Sequence, residues 1–161
     1  MANRDEKSQA YEQKLQRFLK NKAVEYQYLQ FSTSCHSVND AAQSVNASIS
    51  ECIKNICMID STDKVIVAIV KGDHRASTTR VAKALDISRP RIAQPDEILE
   101  ITGYPCGGVP AFGFPAVFLI DPKVMENSMV YTSGGSETTL IKISPKDIQR
   151  LNHGKIVRVR K

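Results

Sequence analysis

Two apolar runs, CIKNICMI at residues 52–59 and KVIVAIV at 64–70, stand on either side of Asp60-Ser-Thr-Asp63. Each run has the length of a strand, and the polar segment between them holds residues that bond their own backbone in turns. The pair therefore reads as a β-hairpin, so any sheet built here contains an antiparallel pair. Shorter apolar runs follow in AVFLI, SMVYTS and TLIKI, with AVEYQYLQF ahead of the hairpin and the basic strand KIVRVR, about 155–161, at the end.

Helical patterns separate these runs. Leu15, Phe18, Leu19 and Lys22 recur at helical spacing, which predicts an amphipathic helix over about residues 8–21. Ser37-Val-Asn-Asp40 places a hydroxyl at the N-cap and a carboxylate three residues on, a variant of the capping box ahead of Ala41, Ala42 and Val45. Ser77 opens a helix carrying Val81, Ala82 and Leu85; Pro95 opens one closed by Gly103; Ser144-Pro145 opens one closed by Gly154. The tally is about seven strands and five helices, interleaved yet with hairpin-like pairs. It predicts an α/β fold with a mixed, barrel-like sheet flanked by short helices. No repeat or linker divides the chain, so residues 1–161 are expected to form a single domain.

Of the 161 residues, 42% are hydrophobic and 24% charged, enough for a core without disulfide or metal staples. Lys and Arg number 22 against 17 Asp and Glu, a mild basic excess that favours anionic partners. No apolar run approaches the ~20 residues of a membrane span. The charged start MANRDEKSQAYEQKLQRFLK lacks a leader's apolar stretch, so no membrane association and a cytoplasmic location are expected. Cys35, Cys52, Cys57 and Cys106 form no C-x-x-C pair, and His36, His74 and His153 lack finger-like spacing. Free thiols and no metal or other cofactor are expected.

The common catalytic signatures are absent: no G-x-S-x-G, H-E-x-x-H, G-x-x-x-x-G-K-[ST] or Rossmann glycine pattern. Two glycine pairs remain, Gly107-Gly108 in TGYPCGGVPAFGF and Gly134-Gly135 in YTSGGSETT. Adjacent glycines let backbone N–H groups approach a carboxylate, a phosphate or an oxyanion, although such pairs more often make tight turns. Lys54 lies mid-strand on the face shared with Cys52 and Ile56, at a rim or aimed into a cleft. His36, just before a helix cap, is a base, a substrate contact or a structural residue. Tyr104 and Phe112 flank the first glycine pair and suit a core better than a stacking platform.

These segments also carry a resemblance. TGYPCGGVPAFGF, preceded by PDEILE, resembles the TGY-x-x-GG-[IV]-[SP]-P-[LF]-G motif of the YbaK/ProX family of aminoacyl-tRNA deacylases. SVNDAAQSV, IKNICMI, VKGDHRASTTRVAKAL and YTSGGSETTLIKISPKDIQRL match in the same order, so the similarity runs from about residue 10 to 152. One departure stands in the first loop, where Ala111 follows Pro110 at a position the family usually fills with proline.

The resemblance implies a mixed sheet bent toward a barrel, and hydrolysis of the ester joining a wrong amino acid to the 3′ end of a tRNA. Members occur free-standing or as editing domains of prolyl-tRNA synthetase. The substrate implied here is tRNA for proline carrying a small wrong amino acid, alanine or cysteine. Aminoacyl-tRNA is the implied partner, with prolyl-tRNA synthetase as a candidate second one. Lys54 corresponds to the family's important lysine, and Gly107 to the glycine of its substrate loop. Catalysis is assigned to Lys54, Gly107 and Gly108, with the loop N–H groups receiving the oxyanion. Lys54 would hold a phosphate or the carbonyl, or act as a base. Phe31, His36, Tyr104, Val109, Ser133, Gly134 and Gly135 are expected to contact substrate, while Lys155, Arg158 and Arg160, beside Lys161, are candidates for tRNA phosphates. The rival readings are a non-catalytic tRNA- or synthetase-binding module with the same fold, and a pocket for another small acyl or nucleotide ligand.

Overall fold

The computed structural model describes residues 6–161; the first five residues of the expected domain lie outside it. The hairpin forms as expected. β2 (Ile53–Ile59) and β3 (Val65–Lys71) pair antiparallel from Ile53 opposite Lys71 to Ile59 opposite Val65. Their turn is held by the Asp60 carboxylate, which accepts from the Thr62 and Lys64 N–H groups and the Thr62 hydroxyl, while Asp63 takes a φ of 65°.

β3 is the centre of a five-stranded sheet. β5 (Val117–Ile120) lies parallel beside it and β8 (Lys155–Ile156) parallel beside β5; β4 (Arg91–Ile92) pairs antiparallel with the far end of β2. The order is β4-β2-β3-β5-β8. Ile66 to Val70 are all buried because both faces of β3 are covered, which is why this strand reads as a continuous apolar run. Val67 and Ile69 enter the main core with Leu15, Leu19, Tyr104 and Phe112. Ile66, Ala68 and Val70 pack on the opposite side with Met58, Val81 and Val159. Burying each such aliphatic side chain is worth about 1.5–3 kcal/mol.

A second, antiparallel sheet has the order β1-β7-β6, from β1 (Tyr26–Gln30), β7 (Thr139–Ile143) and β6 (Val130–Ser133). An isolated parallel bridge between Cys52 and Tyr131 links the start of β2 to β6. The sheet is thus mixed, as expected, but the two halves do not close, and barrel-like overstates their curvature.

α1 (Glu6–Lys20) buries Leu15 and Leu19. α2 (Val38–Ser44), α3 (Thr78–Leu85) and α6 (Pro145–Asn152) begin as the caps predict: the hydroxyls of Ser37, Ser77 and Ser144 accept from N–H groups three residues on. α4 (Pro95–Thr102) ends at Gly103, with φ 80°. The left-handed cap of α6 is His153, at φ 55°, rather than the expected Gly154. β4, the 3₁₀ turn Ile49–Glu51 and α5 (Pro122–Met125) add to the expected tally and are too short to leave a periodic signal. No helix among the described residues is long and apolar enough to cross a membrane.

The basic terminal strand is shorter than predicted, ending at Ile156. Beyond it the chain is pinned by the fully buried Asp121, whose Oδ2 accepts from the Val159 and Arg160 N–H groups and whose Oδ1 meets the Arg160 guanidinium at 2.8 Å.

Candidate active site

β4 pairs with β2 at Met58 and Ile59, and the Ala93 N–H donates to the Cys57 carbonyl at 2.9 Å, so the edge of β2 from Ile53 to Ile56 is left open toward β6. A cavity of about 410 Å³ lies along it, lined by consecutive residues of β2, the end of β6, the start of α2 and the first glycine loop. Because the edge is open, side chains from both faces of the strand reach it: Lys54 and Ile56 from one, Asn55 and Cys57 from the other.

Lys54 is half-buried. Burial lowers its pKa from the usual lysine range, the Arg75 charge lowers it further, and Asp73 opposes them. Its neighbour Asn55 ties the site together. The Asn55 amide donates to the Val109 carbonyl at 3.0 Å and to the Thr132 hydroxyl at 2.9 Å, joining β2, the glycine loop and β6. Ser133, at the end of β6, donates to the Gly107 carbonyl at 3.4 Å.

The two glycine pairs meet each other. The Gly135 N–H donates to the Gly108 carbonyl at 3.0 Å, and a Cβ on Gly108 would come within 2.7 Å of the Ser136 nitrogen. Gly107 has a φ of 88°, and a Cβ there would collide with the ring of His36. Glycine is required at this position both by the backbone and by the imidazole lying on it.

The loop corrects one expectation. The Gly108 N–H is committed to the Pro105 carbonyl at 2.9 Å, closing a tight turn, so it is not available to an oxyanion. The Gly107 N–H has no acceptor among the described residues. Ala111, where the family pattern differs, is fully buried, and its carbonyl accepts from Asn152 at 2.9 Å. The loop is thereby anchored to α6 without the proline.

The wall of the cavity is largely apolar. Burial pushes the Cys52 thiol up to about 11 and the Cys57 thiol up to about 12, so both stay protonated at neutral pH and behave as small apolar groups rather than nucleophiles.

The sequence profile of the aminoacyl-tRNA editing domain family matches residues 32–151, which include the whole of β2, both glycine loops and the open edge between them. The chain belongs to that family. The uncharacterized protein YwhH of Bacillus subtilis (strain 168) is 28% identical over 130 residues, covering 79% of this editing domain chain and 82% of YwhH. The crystal structure of the hypothetical protein APE2540 superposes with a TM-score of 0.86 at 26% identity, over 92% of this chain and 99% of that one. Another, described as a candidate trans-editing enzyme for prolyl tRNA synthetase, gives a TM-score of 0.85 at 20% identity over 99% of both chains, a likeness of fold.

Within the editing domain, Lys54, His36, Gly107, Val109 and Ser133 all line the one cavity. Gly108, Gly134 and Gly135 do not line it; Gly108 is bonded by Gly135, and the Gly134 carbonyl accepts from the Tyr28 hydroxyl. Phe31 does not itself line the cavity but packs, half-buried, in the cluster with Cys35 and Leu140, which do. Tyr104 is completely buried in the main core against Tyr11 and Phe114, so as a substrate contact it is corrected to a packing residue. Arg160 is held by Asp121, Arg158 donates to the Arg160 carbonyl and Lys155 to that of Ala84; none lines the cavity. Asn55, Thr132 and Glu137 were not singled out in the sequence. A polar residue beside Lys54 in an apolar strand was a usable signal for Asn55. Glu137 gave none, since its partner His36 lies 101 positions away.

Proposed function

We propose that this editing domain is an aminoacyl-tRNA deacylase acting in trans, which hydrolyses the ester of tRNA for proline carrying alanine or cysteine. The observation that carries the reading is that Lys54 and Gly107, whose N–H is uncommitted, line the same cavity in a chain of the editing family. An aminoacyl ester is already activated and its leaving group is a ribose hydroxyl, so placing water and stabilising the oxyanion suffices.

The Gly107 N–H receives the developing oxyanion, a contact worth about 3–4 kcal/mol in comparable sites. Lys54 supplies positive charge to the carbonyl or the terminal phosphate from a partly desolvated position where its field is poorly screened. The Asn55 bonds hold these two groups at a fixed separation. Ser133 and Gly135 hold the loop through their bonds to the Gly107 and Gly108 carbonyls.

The small apolar wall formed by Cys52, Cys57, Ala93 and Val109 suits a methyl or a thiol. A synthetic pocket discriminates a missing methylene by only about 1–3 kcal/mol, and a second site removes the errors that remain. The aminoacyl-tRNA is the partner this reading requires, met in the cytoplasm, and prolyl-tRNA synthetase is the enzyme whose errors it would correct.

The test is a panel of tRNAs charged with alanine, cysteine, serine, threonine and proline. Alanine or cysteine should be released fastest, serine and threonine more slowly, and prolyl-tRNA should be spared. Hydrolysis no faster than in buffer across the panel would sink the reading.

A further inference from the structure

His36 ends the segment leading into α2, and its Nδ1 lies 3.0 Å from the Glu137 carboxylate in the turn between β6 and β7. Both side chains are about half exposed, at 50% and 54%. A pair so open to water contributes little to stability, yet the backbone around it is firmly strapped. The Cys35 N–H donates to the Glu137 carbonyl, the Phe31 N–H to that of Thr138 at 2.8 Å, and the His36 N–H to the Ser34 hydroxyl at 3.1 Å. The ring lies directly on Gly107, the residue whose N–H is uncommitted, and lines the same cavity as Lys54.

We infer that His36 and Glu137 form a general acid–base dyad that activates the water attacking the ester. This rests on the deacylase reading and adds to it the proton transfer that Lys54 and Gly107 leave unassigned. With Nδ1–H donated to the carboxylate, the neutral ring keeps its lone pair on Nε2, which has no partner among the described residues. The water oxygen bonds to the ester carbonyl carbon as its proton passes to Nε2, and the carbonyl electron pair moves to the oxygen facing the Gly107 N–H. Collapse of the tetrahedral species re-forms the carbonyl and breaks the bond to the ribose oxygen, which takes the proton back from Nε2. The products are the free amino acid and the tRNA hydroxyl, with no oxidant or other reactant consumed. Glu137 orients the ring and stabilises the transient imidazolium, the division of labour seen wherever a carboxylate backs a catalytic histidine.

The experiment measures kcat and KM for wild type, His36→Ala, Glu137→Gln and the double variant on alanyl-tRNA for proline, with and without added imidazole. His36→Ala should lower kcat about 10²-fold or more, leave KM within about twofold, and regain part of its rate in imidazole, since a half-exposed ring leaves an open space. Glu137→Gln should lower kcat by less, and should add nothing to His36→Ala, because the carboxylate acts through the ring. An active wild type with an unchanged His36→Ala kcat, a loss confined to KM, no imidazole rescue, or an additive double variant would overturn the dyad alone. A wild type inactive on every mischarged tRNA would overturn the deacylase reading and the dyad with it.

Discussion

At the scale of single residues, the site depends on two positions whose surroundings leave little freedom. Gly107 carries a φ of 88° with an imidazole against its α-carbon. Gly107→Ala should therefore destabilise the protein by roughly 1–3 kcal/mol and displace His36, so that deacylation falls further than the shift in urea midpoint explains. Lys54 is the opposite case. Its charge is partly desolvated, so removing it should cost little stability. Lys54→Arg retains the charge in a planar group that cannot serve as a base; substantial remaining kcat/KM would mark an electrostatic role, and loss would mark a need for the lysine's own geometry or basicity. Both residues stood out in the sequence, Lys54 as a charge in an apolar strand and Gly107 as half of a glycine pair. What the sequence withheld was which N–H stays free. The bond from Gly108 to Pro105 is local, but nothing in GYPCGG distinguishes a donor used in a turn from one left for a ligand.

At the scale of elements, the helix starts and the hairpin were legible because their determinants are local: serine caps, a carboxylate turn and unbroken apolar runs. The fate of the C-terminal segment was not. Arg158 and Arg160 read as free cations, yet the partner that immobilises Arg160 is Asp121, 39 positions earlier. Burial alone would raise the Asp121 pKa, but the N–H groups of Lys123, Val159 and Arg160 and the Arg160 guanidinium outweigh it and hold the carboxyl below the usual carboxylate range. A depressed carboxylate pKa stabilises the fold fully above the unfolded value of about 4 and is lost as pH falls through the folded one. Urea midpoints should therefore fall more steeply below pH 4 for wild type than for Asp121→Asn. Asp121→Ala at neutral pH should cost about 3–5 kcal/mol, because it leaves the buried N–H groups and the guanidinium without their partner. A midpoint unchanged in Asp121→Ala would show that the tail is held by other contacts.

At the scale of the whole molecule, two sheets that fail to close create the working space. The strand alternation announced a mixed sheet, but not that β4 would cover only the end of β2 and leave Ile53 to Ile56 facing β6. That opening is set by pairing between distant segments, which periodicity cannot report. A cavity of this size holds an aminoacyl ester but only the tip of a tRNA, so on the proposed function a bound tRNA would lie mostly on the outer surface, with contacts largely to phosphates. Binding of tRNA should weaken steeply between about 50 and 200 mM salt, and a flat dependence, read by filter binding or anisotropy, would point to a small-molecule ligand. The central proposal is that this one cavity carries out deacylation. Its most direct test is the single-turnover rate of alanine release from alanyl-tRNA for proline by wild type and Lys54→Ala, with Tm recorded on the same preparations. The expected result is rapid release by wild type and collapse in Lys54→Ala at an almost unchanged Tm; near-wild-type release by a folded Lys54→Ala would contradict the account.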